Sequence, residues 1–332
     1  MGVRWGLLST AAINEEILDA ARATEHAEIV AVASRDAGTA AAYAERHGIP
    51  RSHGSYDDLL ADAGVEAVYI PLPNSMHVEW TRRALEAGKH VLVEKPFGRD
   101  PAEVAEVCAL AEERGLVLSE AFMWRHHPQA ARLEELLREG AIGRPLLVRA
   151  VFGFPLEELR GATDTRFDAA LDGGGLMDVG CYCISAIRLV AGEEPDRVHA
   201  ERLEGPTGVD LVLGATMRMP GGLIGQFDCG FLSRHRDELE IVGEGGSLFL
   251  DDPWHCREPV IEVRRDGGVE RIEVDRADPY RCELDDLAAA IEGRRPLRHG
   301  TADAIAQSRV LEAVHRAAVT GLAVRPGSSA GS

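Results

Sequence analysis

The sequence predicts an α/β protein: a doubly wound parallel sheet, followed by an α+β domain with a mostly antiparallel sheet. Two observations lead to this prediction. Short apolar runs alternate with helical patterns over about the first 120 residues, an order that favours parallel strands joined by right-handed crossovers. After about Met123, the candidate strands are separated by glycine-rich turns, which favour antiparallel hairpins.

The first domain is assigned to residues 1–123. Its last helix illustrates how the boundaries are placed: Asp100 is a good N-cap residue, and Pro101 suits the first helical position. The candidate strands are residues 4–8, 27–33, 67–70, 90–93 and 116–118. The candidate helices are residues 12–23, 39–47, 56–63, 77–87 and 101–114.

The second domain is assigned to residues 124–325, and the small, polar residues 326–332 are predicted to form a disordered tail. Its candidate helices are residues 128–139, 177–190, 280–292 and 302–319. Its candidate strands are residues 146–154, 197–203, 209–217, 223–231, 238–242, 247–250, 260–263 and 269–274.

The bulk composition excludes several classes of protein. A formal net charge of -19 argues against a nucleic-acid partner, since phosphate binding uses clustered Lys and Arg. No apolar stretch approaches the roughly 18–20 residues of a membrane span, and the N-terminus lacks a signal-peptide pattern. The six cysteines are dispersed without zinc-site spacing. We therefore expect a cytoplasmic protein with no membrane partner and no metal.

The first strand-to-helix turn contains candidate cofactor-binding residues: Ser9, Thr10, Ala11 and Ile13. A dinucleotide fingerprint would place glycines at Ser9 and Ala11. The small residues still admit a pyrophosphate at the helix N-terminus, where free N–H groups favour an anion. The alternative is an ordinary strand-to-helix turn.

The second strand ends in Ser34-Arg35-Asp36. A carboxylate at the position of Ser34 would bind the ribose of NAD and repel a 2′-phosphate. Ser34 and Arg35 therefore favour NADP, because arginine pairs with phosphate and stacks on adenine. NAD stays possible, since Asp36 can reach the ribose and Arg35 can be a surface residue.

Two further segments follow apolar strands. Pro71, Asn74 and His77 either line a nicotinamide pocket or serve only to begin the next helix. Glu94-Lys95-Pro96 places a carboxylate, an ammonium and a rigid turn at the carboxyl edge of the sheet, where ligands bind in such folds. A lysine there is held by a partner or has a lowered pKa.

The second half contains a glycine run, residues 173–175, that leads into a helix with Asp178 and Tyr182 four residues apart. This spacing places carboxylate and phenol on one helix face. A tyrosine near a cation can transfer protons. The alternative is a partly buried tyrosine beside a surface aspartate.

The domain junction contains three candidate substrate-binding residues, because pockets often form at junctions. Trp124 can stack on a sugar ring, and Arg125 and His127 can bind hydroxyl groups. Trp124 can equally belong to the core.

Together these segments resemble the glucose–fructose oxidoreductase, inositol dehydrogenase and MocA (Gfo/Idh/MocA) family over nearly the whole chain. Residues 121–125 with His127 and Pro128 look most like its NADP-dependent dihydrodiol and D-xylose dehydrogenase branch. The ordered set that carries the resemblance is Ser34–Asp36, Pro73–His77, Ala87–Val91, Glu94–Pro96, Gly173–Tyr182 and Gly243–Ser247.

The resemblance implies a Rossmann domain and an α+β domain with an open-faced sheet, whose exposed face forms a homodimer or homotetramer interface. It implies reversible hydride transfer between nicotinamide and a hydroxyl-bearing carbon of a sugar, cyclitol or related diol. By position, Glu94 and Lys95 belong to the cofactor site, and Lys95 contacts the cofactor ribose and the reacting oxygen. Tyr182 is the proton donor or acceptor, Asp178 orients the substrate, and the peptide bond before Pro96 is cis.

Three rival functions stay open from the sequence. They are a 3-keto sugar reductase, a redox-neutral enzyme with a tightly held cofactor, and a non-catalytic NADP sensor. The presence of Lys95, Asp178 and Tyr182 argues against the sensor, which has no need of an acid–base pair.

Overall fold

A computed structural model describes residues 2–328, which form two compact units. The first unit consists of Met1–His126 and Asp278–Ile305, and the second of His127–Ala277 and Ala306–Ser332. The chain first passes from the first unit to the second after His126, three residues beyond the predicted domain boundary at residue 123. The segment Asp278–Ile305, which the sequence analysis assigned to the second domain, groups with the first unit.

The first unit contains one six-stranded sheet. Its strands are β1 (Val3–Leu8), β2 (Ala27–Ala33), β3 (Arg51–His53), β4 (Ala67–Ile70), β5 (His90–Glu94) and β6 (Leu118–Ala121). The order is β3-β2-β1-β4-β5-β6, and each neighbouring pair is parallel. The helices between the strands are α1 (Asn14–Arg22), α2 (Ala37–His47), α3 (Tyr56–Leu60), α4 (His77–Glu86) and α5 (Pro101–Arg114).

Apolar side chains cover both faces of this sheet. In β5, Val91 and Val93 belong to one buried cluster, whereas Leu92 between them belongs to another. Because successive strand residues point to opposite faces, both faces are packed, as a doubly wound sheet requires. Leu284 and Leu287 of the returning segment lie in the second cluster, which explains why that segment groups with this unit.

The second unit contains α6 (Pro128–Arg138), β7 (Pro145–Gly153), α7 (Leu156–Arg160) and α8 (Cys181–Ala191), then seven further strands. These strands are β8 (Arg197–Glu204), β9 (Asp210–Arg218), β10 (Ile224–Gly230), β11 (Arg236–Gly243), β12 (Gly246–Leu250), β13 (Val260–Arg265) and β14 (Gly268–Glu273). The sheet order is β14-β13-β12-β11-β7-β10-β9-β8. Only the pairing of β7 with β10 is parallel, so the sheet is mostly antiparallel, as predicted. Of the last two helices, α9 (Pro279–Ile291) belongs to the first unit, and α10 (Thr301–Thr320) begins in the first unit and continues in the second.

One face of the second sheet is open. Along β9, buried residues such as Leu213 alternate with exposed ones such as Val212, so only one face is packed. The exposed face has a depression of about 610 Å³. Its lining is largely polar and includes Arg149, Thr216, Gln226, Arg236, Glu238 and Glu240.

Three local assignments differ from the sequence prediction. Residues 51–53 form the short edge strand β3, although their polar sequence predicts no strand, because pairing with β2 stabilises a segment without apolar alternation. Strand β6 begins at Leu118, since Leu116 still donates its N–H to Ala111 at the end of α5. Helix α7 lies in a region for which the sequence analysis proposed no element.

Within residues 2–328, one stretch is long and apolar enough to cross a membrane, contrary to the sequence expectation. It is Ala169–Ala191, with a mean hydropathy of 1.3. However, 83% of its most apolar window is buried inside the protein, as in a core helix.

The predicted C-terminal tail is only partly described. Its residues 329–332 lie outside the described part of the chain, as does Met1. Ser328, in contrast, accepts a hydrogen bond from the Arg316 guanidinium through its carbonyl oxygen, at 2.8 Å.

Candidate functional site

The turn between β1 and α1 has a glycine-like backbone without glycine. Ser9 has φ 148°, a conformation that side chains rarely adopt outside functional sites. The Ser9 hydroxyl accepts the Ala11 N–H at 3.2 Å, and the Ser9 carbonyl accepts the Asn14 side-chain amide at 2.8 Å. The serine at the fingerprint position therefore keeps the backbone shape that a close phosphate approach needs.

The start of α1 also suits an anion. Ile13 occupies the N-cap position and supplies no side-chain hydrogen bond, while the N–H groups of Asn14, Glu15 and Glu16 donate to the carbonyls of Ala11, Ala12 and Ile13. The aligned peptide dipoles of the helix still favour an anion at this end. Together with the Ser9 backbone, this feature fits a dinucleotide, and Thr10 and Ala11 lie in the same turn.

At the end of β2, the Asp36 carboxylate and the Arg35 guanidinium have different environments. Asp36 caps α2 by accepting hydrogen bonds from the N–H and the hydroxyl of Thr39, both at 2.7 Å. These bonds lower the pKa of Asp36. Arg35 is exposed, and no carboxylate within residues 2–328 pairs with it. Arg35, beside Ser34, is therefore available to a 2′-phosphate, while Asp36 is engaged in capping.

His77 connects two loops at the carboxyl edge of the sheet. The side chain is completely buried. Its Nδ1 lies 2.8 Å from the Pro96 carbonyl oxygen and its Nε2 lies 2.7 Å from the Leu72 carbonyl oxygen. Pro71 is buried directly after β4, and Asn74 begins a short 3₁₀ turn before α4. His77 thus has a structural function between the loops that the sequence analysis assigned to the cofactor.

Besides the contact of His77 with Pro96, further hydrogen bonds anchor the Glu94-Lys95-Pro96 turn. The Tyr69 hydroxyl donates to Glu94 at 2.5 Å, the Lys95 N–H donates to Glu94 at 3.2 Å, and the Phe97 N–H donates to Glu120 at 2.8 Å. The Lys95–Pro96 peptide bond is cis, as the resemblance implies. Lys95 is half-buried. The backbone that carries it is therefore held by hydrogen bonds on both sides.

Tyr182 lies within an aromatic cluster of the second unit. Its side chain is 6% exposed, and its ring lies 5.3 Å from Phe152 and 5.9 Å from Trp254, in edge-on contacts. Asp178 lies one turn earlier, in a π-helical turn, Leu176–Gly180, that runs directly into α8. Such π turns are frequent at functional sites. The sequence analysis predicted a helix here without the π turn.

Asp178 has a partner that the sequence analysis missed. The Nε of Arg166 lies 2.9 Å from the Asp178 carboxylate. This pairing raises the pKa of Arg166. Arg166 comes from the loop before the glycine run, and no local motif marks it.

Asp210 is a second missed residue. Its buried carboxylate accepts the Leu176 N–H at 2.7 Å, at the start of the π turn. At Gly174, φ is 117°, and a Cβ would lie 2.3 Å from the Asp210 carboxylate. The glycine run therefore permits a carboxylate to approach the backbone that leads to Asp178 and Tyr182.

The three junction residues are buried. Trp124 belongs to the core and Arg125 pairs with Asp303, both inside the first unit. In the second unit, the Nδ1 of His127 accepts the Gln129 N–H at 3.0 Å, so its Nε2 carries the proton and donates to the Ala277 carbonyl at 3.1 Å. These contacts indicate that Arg125 and His127 position the backbone.

A parallel sheet in the order 3-2-1-4-5-6 has the strand order of dinucleotide-binding Rossmann domains. Residues 3–122 match the family model described as an oxidoreductase family with an NAD-binding Rossmann fold. Residues 130–249 match the model of the GFO/IDH/MocA C-terminal domain. The chain belongs to the Gfo/Idh/MocA family of NAD(P)-binding oxidoreductases.

Similar proteins support this assignment. D-xylose 1-dehydrogenase (NADP(+)) 2 from Haloferax volcanii is 37% identical over 327 residues, covering 96% of this chain and 98% of the relative. Trans-1,2-dihydrobenzene-1,2-diol dehydrogenase from Bos taurus is 36% identical over 266 residues, covering 79% of this chain and 78% of the relative. The crystal structure of KijD10, a 3-ketoreductase from Actinomadura kijaniata in complex with NADP and TDP-benzene, has a TM-score of 0.89 at 31% identity, covering 96% of this chain and 98% of that one.

Proposed function

We propose that this protein is an NADP-preferring oxidoreductase that interconverts a secondary alcohol and a carbonyl on a sugar, cyclitol or related diol. The single observation that carries the proposal is the anchored Glu94-Lys95-Pro96 turn at the carboxyl edge of the Rossmann sheet, where such folds bind ligands. The relatives act on a sugar and on a diol, and the neighbouring crystal structure contains NADP.

The cofactor preference follows from the end of β2. Arg35 and Ser34 would receive the 2′-phosphate. The Asp36 carboxylate, in contrast, accepts hydrogen bonds from Thr39 and caps α2. Ser9, Thr10, Ala11 and Ile13 would receive the pyrophosphate at the start of α1. The bound dinucleotide supplies a nicotinamide that accepts or donates hydride.

Tyr182 is the proposed acid–base residue. When the alcohol is oxidised, the Tyr182 phenolate would accept the hydroxyl proton and become a phenol, the hydride would leave the carbon for the nicotinamide, and the carbon–oxygen double bond would form. A cation lowers the pKa of a nearby phenol, and Lys95 is proposed to supply this charge at the reacting oxygen. Asp178, held by Arg166, would orient a substrate hydroxyl.

The decisive experiment is a panel of aldoses, cyclitols and diols, assayed with NADP and with NAD by the absorbance of the reduced cofactor. With an active substrate, Tyr182→Phe should lower kcat by about 10²- to 10⁴-fold while cofactor affinity stays nearly unchanged. Tyr56→Phe is the matched control, because Tyr56 packs edge-on against Trp80 in the first unit. An unchanged kcat in Tyr182→Phe rejects the assignment of Tyr182.

A 3-keto sugar reductase is the second candidate, favoured by the similarity to KijD10. It requires NADPH oxidation with a keto sugar nucleotide and no activity with free aldoses. A redox-neutral enzyme would retain its cofactor through purification and produce no net NADPH. If NADPH binds and nothing in either panel reacts, the sensor alternative is supported.

We also propose a homodimer or homotetramer formed through the exposed sheet face of the second unit. The lining of its depression includes Arg149 and Glu240, which pair at 3.3 Å. A mass measured in solution by light scattering tests the assembly, and Arg149→Glu should dissociate it. A reduced cytoplasmic location is consistent with six free cysteines, five of them buried.

A further inference from the structure

We propose that Asp237 and His255 form a carboxylate–imidazole pair that accepts a hydrogen bond from a substrate hydroxyl beside Tyr182. The inference rests on the proposed function, and it adds a residue that determines substrate specificity. Neither residue belongs to a sequence motif, so the pair emerges only from the structure of the second unit.

The sheet register places the pair on the face that carries Tyr182. Asp237 of β11 lies directly opposite Phe152 of β7, so the two side chains share one face of the sheet. The Phe152 ring contacts Tyr182 at 5.3 Å and His255 at 5.6 Å, both edge-on. One aromatic ring therefore touches both the proposed acid–base residue and His255.

The hydrogen bond within the pair defines the chemistry of the imidazole. Nδ1 of His255 lies 2.9 Å from the Asp237 carboxylate. The Asp237 side chain is 5% exposed, and one of its oxygens has no hydrogen-bond partner within residues 2–328. Because the Asp237 carboxylate accepts a hydrogen bond from Nδ1–H, the neutral ring presents an unprotonated Nε2. No group in the described chain bonds that Nε2, and the side chain is 27% exposed.

The loop that carries His255 is held independently of any ligand. One oxygen of Asp252 accepts the N–H groups of Arg257 and Glu258, at 2.5 and 3.1 Å. The Trp254 indole donates to the Val151 carbonyl at 3.0 Å. These bonds fix the residues on both sides of His255, so the imidazole is positioned before a substrate binds.

The charge around the pair selects the ligand. Asp237 and Asp252 lie on the same side of His255, with Asp252 at 3.9 Å from Nδ1. The His235 imidazole lies 3.8 Å from the Asp237 carboxylate, and no salt bridge in the described chain joins a Lys or Arg to either carboxylate. A phosphate or carboxylate group of a substrate would be repelled here. The chemical class that fits is a neutral polyol or sugar ring with a free hydroxyl.

The same residues offer an alternative ligand, a divalent cation. One ligand atom from each of Asp237, Asp252 and His255 lies within 4.8 Å of the others. A metal would have to displace the proton that joins Nδ1 to Asp237, so we favour the hydroxyl and test metal binding directly.

The test compares kinetics of the wild type and His255→Phe with the preferred substrate and its monodeoxy analogues. We expect His255→Phe to raise KM for the parent by about tenfold. For one monodeoxy analogue, which lacks the bound hydroxyl, the two enzymes should have nearly equal KM. Asp237→Asn should show the same pattern. His26→Phe, at the amino end of β2, is the matched control. It should change neither the KM for the parent substrate nor the KM for the monodeoxy analogue.

Three results would overturn the proposal. If His255→Phe raises KM equally for every analogue while the melting temperature is preserved, no single hydroxyl is bound. If one equivalent of Zn²⁺ or Co²⁺ binds the wild type and is lost in Asp237→Asn, the pair is a cation site. If the wild type turns over no alcohol or ketone, the proposed function fails and this inference fails with it; an active wild type with an unaffected His255→Phe rejects the inference alone.

Discussion

The imidazole of His77 lies 2.8 Å from the carbonyl oxygen of Pro96 and so joins the loop after β4 to the turn that carries Lys95. Its other nitrogen faces the Leu72 carbonyl. Burial lowers the pKa of His77 to about 4, against the opposite effect of the two carbonyls.

Removing this connection should affect the cofactor site. We expect His77→Ala to raise KM for NADPH by about tenfold or more, because the Lys95 turn loses a buried hydrogen bond. His90→Ala is the matched control: His90 accepts the Val117 N–H at 2.9 Å at the amino end of β5. Both variants should lose stability in denaturant unfolding, but only His77→Ala should lose cofactor affinity. Equal KM values would contradict the positioning role.

Arg35→Ala should reduce the preference for NADP. We expect KM for NADP to rise about 10- to 100-fold, since a charge-assisted phosphate contact is lost, while KM for NAD changes little. Arg46→Ala, at the other end of α2, is the control for the loss of one surface charge. A parallel change for both cofactors would show that Arg35 does not read the 2′-phosphate.

Asp210 should make stability depend on pH. Burial raises the pKa of Asp210 from 3.8 to about 6, so the folded state binds its proton more tightly than the unfolded state. The contribution of Asp210 to the free energy of unfolding is therefore largest at low pH and falls as pH rises from about 4 to about 6. Between pH 4.5 and 7.5, Asp210→Asn should gain roughly 2 kcal/mol relative to the wild type. Asp266→Asn, in an exposed turn, should show no such gain.

Glu283 provides the same type of test in the first unit. It is fully buried, and within residues 2–328 neither carboxylate oxygen has a hydrogen-bond partner. Burial, with Glu94 and Asp286 nearby, raises the pKa of Glu283 well above its usual value. The folded state therefore binds this proton more tightly than the unfolded state does, and the group opposes folding increasingly as pH rises above about 4.5.

Replacing Glu283 by the neutral glutamine should remove this destabilising effect on the folded state. We expect Glu283→Gln to raise the free energy of unfolding at pH 8 by about 1 kcal/mol or more, and by less at pH 5. Glu273→Gln, on an exposed strand, is the control. A loss of stability at pH 8 would show that Glu283 is ionised and compensated in the folded protein.

Much of the first unit could be predicted from the sequence. The limits of β2, β4 and α5 agree with the prediction, because continuous apolar runs and a Pro after an N-cap are local signals. The Lys95 turn and the glycine run were also recognisable locally. Strand β3 was not, since its stability comes from its neighbour in the sheet.

The site residues that the sequence analysis missed make contacts with residues that are distant in the sequence. Arg166 reaches Asp178 across twelve residues, and Asp210 reaches Leu176 across thirty-four. Asp237 and His255 come from a strand and a separate loop. None of these pairs has a characteristic spacing, so only the folded backbone reveals them. The buried contacts of Arg125 and His127 were hidden for the same reason.

The return of Asp278–Ile305 to the first unit has a practical consequence for protein dissection. The polypeptide passes between the units three times, after His126, Ala277 and Ile305. A fragment ending at His126 would lack Leu284 and Leu287 and leave the apolar surface around Trp5 open to water. An independently soluble nucleotide-binding fragment would need residues 278–305 grafted onto residue 126 through a linker, so that the gene for this domain is not a contiguous segment.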